Sequence, residues 1–231
     1  MNFRIGVAVA AAVLLVTASA RADAAGPYNW TGFYAGGYAG YGWGKSTATD
    51  IGDRFGVPEY ILGAKFSDHP DGFIGGGQAG YNYQSGNWVA GLEADFGYLG
   101  LKGSGVYPDG TFFDTFVKTR ASYDATFRAR FGVTNGPVLF YVTGGAILAD
   151  FNNYIKSFST FHSDKTGSQW GWTVGAGIEY ALDRKWSVKA EYLYYDAGTE
   201  TVRMNNSSGN PFPIESTGNL VRVGLNYRFG N

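Results

Sequence analysis

The chain of 231 residues holds 36 Gly, 17 Tyr, 17 Phe and 6 Trp but no Cys, and only 16% of it is charged, with a formal net charge of −1. Near-neutrality leaves no electrostatic footprint for nucleic acid, and the absence of Cys excludes disulfides and thiolate metal sites. So much glycine and aromatic content favours many short strands and turns over helices.

The first element in chain order is an export signal. Met1 to Arg4 form a short basic start, Ile5 to Val16 an apolar run, and Ala20-Arg21-Ala22 a small-x-small cleavage site, with Ala18-Ser19-Ala20 as a second option. The run is too short for a spanning helix, which needs about 20 residues. The other reading, an N-terminal membrane anchor, lacks a polar stop-transfer flank. Residues 1–22 are therefore expected to be a signal peptide, 23–30 a short periplasmic lead and 31–231 one domain.

Eight strands follow, near Thr31–Trp43, Gly72–Gln84, Trp88–Leu99, Thr119–Val133, Val138–Asp150, Trp170–Leu182, Trp186–Asp196 and Asn219–Phe229. The last alternates most cleanly: Val221, Val223, Leu225, Tyr227 and Phe229 on one side, Arg222, Gly224, Asn226 and Arg228 on the other. An apolar face against a face with two arginines fits a strand between lipid and a polar lumen. At ~3.3 Å per residue and a ~45° tilt, strands of this length cross ~25–30 Å. Such alternation also hides the membrane from bulk hydropathy, whose mean is −0.15.

The connections alternate in length. Ser85–Asn87, Thr134–Pro137 and Asp183–Lys185 are tight polar turns, whereas Gly44–Asp71, Gly100–Lys118, Phe151–Gln169 and Ala197–Gly218 are long. Long connections at one end and short ones at the other predict an all-β fold, a transmembrane antiparallel eight-stranded up-and-down β-barrel of outer-membrane type, with both termini periplasmic. Aromatics near the strand ends predict two interfacial girdles.

Eight strands make a lumen that side chains just fill. The alternation points inward Glu93, Asp95, Asp124, Glu179 and Glu191 with Arg120, Arg128, Arg130, Lys189, Arg222 and Arg228. Near-balanced buried charge requires paired networks, which would plug the lumen; a narrow ion path lined by the same groups is the alternative. Gly36, Gly40, Gly76, Gly80, Gly175 and Gly177 are expected to leave room for the long arginines.

The stretch from Asn29 to Gly37, followed by Gly40-Tyr41-Gly42-Trp43-Gly44, is similar to the first strand of the small eight-stranded outer-membrane proteins of alphaproteobacteria, the porin-family or OmpA-like β-barrel surface antigens. Tyr141 to Ala146 and Val221 to Phe229 resemble that family's fifth and last strands. The resemblance covers essentially the whole mature chain. It implies a structural, surface-exposed envelope protein, and for some relatives haemin binding or a small pore. Family members usually end at the aromatic read by the barrel-assembly machinery; here Gly230-Asn231 follow Phe229.

Catalytic chemistry is sparse. The two histidines, His69 and His162, fall in long connections, beside Asp68 and Asp71 and beside Ser163 and Asp164, without an arrangement for general-base work. The sharper reading is haem binding by His162 or Tyr154, near Phe158 and Phe161, against the plainer one of an aromatic loop near the membrane surface. Gly75-Gly76-Gly77-Gln78-Ala79-Gly80 matches a dinucleotide fingerprint, but no helix follows it. Asp50 and Asp53 lack calcium-loop spacing.

The expectation is an integral outer-membrane protein with a structural, surface-exposed role, no cofactor and no catalysis. Its expected partners are outer-membrane lipid, lipopolysaccharide and the barrel-assembly machinery, the last through the strand ending at Phe229. A small diffusion pore and a haem or other ligand receptor are the alternatives.

Overall fold

The computed structural model describes residues 28–49, 65–106, 116–157, 161–203 and 211–229. The expected signal peptide, the lead up to residue 27, Asp50 and Asp53, and Gly230-Asn231 lie outside the described residues. The described residues form nine strands: β1 (Gly32–Thr49), β2 (Lys65–Asp68), β3 (Asp71–Ser85), β4 (Trp88–Val106), β5 (Phe116–Asn135), β6 (Val138–Ser157), β7 (Phe161–Ala181), β8 (Trp186–Arg203) and β9 (Pro211–Phe229). Neighbours pair antiparallel in chain order from β3 to β9, and β1 pairs with both β3 and β9, closing the sheet.

The short β2 is not a ninth stave. It pairs with β1 from Ser46↔Asp68 to Thr49↔Lys65, in line with the β1–β3 ladder that ends at Trp43↔Asp71. β2 and β3 are one strand interrupted at Pro70, which has no N–H to donate; its carbonyl still accepts from Gly44 N at 2.8 Å. The wall is therefore an eight-stave barrel.

The hairpins at one end are tight. Ser85 pairs with Trp88 and Asn135 with Val138, leaving two-residue turns whose Gly86 (φ 59°) and Gly136 (φ 61°) sit in the left-handed region that two-residue hairpins demand. The third turn is held by Asp183 Oδ1, which accepts from the backbone N–H of Lys185 and of Trp186 at 2.7 Å each.

Paired residues traced round the wall from Gly42 run through Leu220, Leu193, Gly175, Thr143, Arg130, Gly91 and Asn82 to Gly32, ten positions along β1 from the start. With strand spacings of ~4.8 Å and ~3.3 Å per residue, that stagger sets a tilt of about 40° and a radius of about 8 Å.

The described residues of the long connections expected from the sequence are strand, apart from His69 and Pro70. β4 to β9 run 18–21 residues, which at this tilt is ~45–50 Å along the axis against an apolar band of ~25 Å. The surplus stands beyond the membrane as a hydrogen-bonded collar. Polar residues continue a ladder well once the strands are already paired, so hydropathy marks where lipid ends rather than where the strands end.

The outer wall within the band is apolar. Leu92, Phe96, Phe127, Val142, Val174, Val223 and Leu225 are all exposed, an arrangement that only a hydrocarbon surround makes favourable. Rings meet at both edges of this band. Phe33–Tyr81, Trp88–Phe131 and Trp186–Tyr227 contact near the tight turns; Tyr41–Phe73, Phe96–Tyr123 and Trp172–Tyr194 contact near the collar.

Candidate functional site: a three-layered lumen

The inward positions form three layers. The middle one is ionic. Arg128 Nη2 lies 2.5 Å from Glu93 and 2.8 Å from Asp95, with Nη1 3.2 Å from Glu191. Arg222 reaches Glu191 at 2.6 Å and Asp95 at 3.1 Å, Arg130 reaches Glu179 at 2.6 Å, and Lys189 Nζ donates to Glu93 at 2.8 Å. Four bases thus face four acids, all buried. Neutral groups complete the carboxylates' coordination: Tyr34 O–H donates to Glu93 (2.7 Å), Thr126 to Asp95 (2.7 Å), Tyr141 to Glu191 (2.9 Å), and Ser187 and Asn226 to Glu179 (2.6 and 3.0 Å). Pairing with this coordination keeps buried ions tolerable.

The inward tyrosines were not among the expected lumen residues, yet they frame the layer. Arg130 lies over the Tyr141 ring at 4.3 Å and Arg222 over Tyr38 at 4.4 Å, geometry suited to cation–π attraction. Of the glycines expected to make room for arginines, Gly40 lies against Arg222, while the others make room for these rings and for neighbouring residues. A Cβ on Gly80 would come within 2.4 Å of the Tyr34 hydroxyl, one on Gly177 within 2.5 Å of the Tyr141 ring, and one on Gly36 or Gly40 within 2.1 Å of a backbone carbonyl of β9. Inward parity in β1 and β6 was the signal available in the sequence.

Below the ionic layer, at the tight-turn end, Trp30, Val89, Leu139, Tyr141 and Ala181 pack together with Tyr28 against them. Trp30 is fully buried, and its Nε1–H donates to Thr134 Oγ1 at 2.8 Å. Arg228 belongs to this cap. It lies 4.8 Å above Tyr28 and 5.8 Å from Trp30, and donates to the carbonyls of Asn29 and Thr31. It is buried in the lumen but bonds backbone rather than a carboxylate.

Above the ionic layer the lumen is apolar, where the alternation led to the expectation of a polar lumen. Ile74, Leu99, Leu101, Ala121, Ile147, Ala149, Phe151, Leu193, Tyr195 and Leu220 form one buried cluster spanning the lumen. Asp124 borders this layer; it forms none of the ion pairs, and its Oδ1 has no partner. Nearer the mouth, Asp68 is buried with both carboxylate oxygens unpartnered, and burial pushes this carboxyl above the usual carboxylate range.

Arg120 is a second correction. Alternation counted from Arg128 and Arg130 puts it inside, but it is exposed and Ala121 is buried. The ladders on both sides shift between Ala121 and Asp124, and between Tyr98 and Leu101, so a bulge inverts the parity beyond it.

Of the loop candidates, His69 is exposed between β2 and β3. The backbones of Tyr154 and His162 belong to β6 and β7, where Tyr154 pairs with Asp164 and His162 with Lys156; they are ladder positions rather than loop, and their side chains lie outside the described residues. The glycine-rich stretch from Gly75 to Gly80 lies within β3 and opens no helix. Among the described residues no group of three His, Cys, Asp or Glu could hold a metal, and no helix is long and apolar enough to cross a membrane.

Comparison with known proteins agrees with this architecture. Residues 8–229 match the outer membrane protein beta-barrel domain family. The chain is 38% identical over 216 residues to the 31 kDa outer-membrane immunogenic protein of Brucella melitensis biotype 1, covering 87% of this chain and 85% of that protein. It is 30% identical to the 22 kDa outer membrane protein of Rhizobium leguminosarum bv. viciae, covering 87% and 79%. Outer membrane protein OprG of Pseudomonas aeruginosa superposes with a TM-score of 0.56 at 15% identity, covering 89% of this chain and 99% of that one. The outer membrane protease OmpT of Escherichia coli gives 0.51 at 10% identity, covering 87% and 98%. At these identities the two solved structures share the fold alone.

Proposed function

Because the chain belongs to the outer membrane protein beta-barrel family, we propose that it is a closed, non-conducting structural barrel of the outer-membrane surface, without catalysis. One observation carries this reading: a balanced ionic layer enclosed between an apolar cap around Trp30 and an apolar cluster around Leu99 and Leu193. A water-filled path would have to cross both apolar layers, and narrow hydrophobic constrictions oppose conduction by dewetting. The relatives' names, outer-membrane immunogenic proteins, support a surface-exposed role. Residues 1–22 are read as a signal peptide removed on export, and the strand ending at Phe229 as the part presented to the barrel-assembly machinery.

Planar-bilayer recording of the refolded mature protein tests the proposal. Protein that migrates as folded, inserts and stays silent is the expected result. Discrete, reproducible conductance steps would replace the structural reading with that of a small pore. Spectral titration addresses the receptor reading: a haem Soret shift in wild type that disappears in His162→Ala would establish it.

A further inference from the structure

Two like charges stand directly opposite one another on the outer wall. Lys102 of β4 and Arg120 of β5 are ladder partners, both exposed. Like charges in this relation repel. Among the described residues neither has a carboxylate within ion-pair distance, and Asp71, the cross-strand neighbour of Lys102, accepts the Tyr41 hydroxyl instead. The bulge that inverts β5 is what turns Arg120 out to complete the group.

The height of this group identifies its neighbour. Lys102 lies four positions past Tyr98 and Arg120 three before Tyr123, and the two rings contact at 6.0 Å. The bases therefore stand roughly 7–10 Å beyond the girdle, within the headgroup layer. They face sideways, where the neighbour is the outer leaflet rather than the collar mouth. An arginine fork beside a lysine point charge suits a phosphate oxyanion. We propose that Lys102 and Arg120 form a docking site for the phosphates of the glycolipid headgroup, lipopolysaccharide, in the outer leaflet. The inference rests on the outer-membrane reading and assigns the lipid contact to one side of the barrel.

The test is equilibrium binding of the refolded barrel, in zwitterionic detergent, to diphosphorylated lipid A, to lipid A stripped of phosphate, and to inorganic phosphate. Wild type is compared with K102Q/R120Q and with R184Q/K185Q, which removes equal charge from the opposite end; heat-modifiable gel migration verifies folding. Expected are binding of diphosphorylated lipid A, a loss of about tenfold or more only in K102Q/R120Q, and little affinity for the dephosphorylated lipid. Equal affinity of K102Q/R120Q and wild type, or equal loss in R184Q/K185Q, overturns the site. Inorganic phosphate competing as well as the lipid overturns the lipid as its source. If K102Q/R120Q and wild type alike fail to fold into micelles, the outer-membrane reading itself has failed.

Discussion

The ionic and apolar layers of the lumen are built from the same staves, a few residues apart, and have opposite chemistry. β4 supplies Glu93 and Asp95 to one and Leu99 and Leu101 to the other; β8 supplies Lys189 and Glu191, then Leu193 and Tyr195; β9 supplies Arg222 below Leu220. The apolar layer excludes water whatever its detailed partners, since burial of apolar area is non-directional. The ionic layer is stable only as a complete set, because removing one partner leaves the others buried and unpaired. The apolar layer should therefore fail gradually and the ionic layer abruptly.

The largest effect is expected at Glu93, which is bonded to Arg128 and Lys189 and lies near Arg130. Glu93→Ala should cost about 3–5 kcal/mol in urea unfolding of the lipid-embedded barrel. Leu99→Ala, one cavity in a cluster that can partly relax, should cost about 2–4 kcal/mol; a loss exceeding that of Glu93→Ala would invert the contrast. The two layers should also separate in conductance. Leu99→Ser with Leu193→Ser and Trp30→Ser, which together breach both apolar layers, should yield steps in a bilayer where Glu93→Gln does not, and the reverse would make the ions the seal. Asp124→Asn should leave stability within about 0.5 kcal/mol of wild type or raise it, because the carboxylate has no ion pair to lose. Smallest is a pH effect at Asp68. Its carboxyl is raised by burial, so its contribution to stability is complete below the ordinary carboxylate range and is lost as pH rises through the raised value. Asp68→Asn should flatten that part of the stability–pH curve.

The residues show what alternation can and cannot reveal. Glu93, Asp95, Arg128, Arg130, Glu179, Lys189, Glu191 and Arg222 sit where polar and apolar positions alternate against lipid, so both the wall and its ionic contents could be read from the sequence. The upper apolar layer could not. Where Ile147, Ala149 and Phe151 face inward and Leu148 outward, both faces of β6 are apolar and the period of two disappears. Arg120 was misplaced for a related reason. A bulge adds one residue without a compositional mark, and every parity beyond it inverts. The collar was missed because hydropathy follows the solvent while the ladder follows the neighbouring strand.

The collar has a further consequence, for digestion of the cell surface. A protease takes its substrate as an extended, unpaired segment. Lys102, Lys118 and Arg120 expose side chains suited to trypsin, yet their backbones are held in ladders with neighbouring strands. Trypsin applied to intact cells should therefore spare the bonds after these bases.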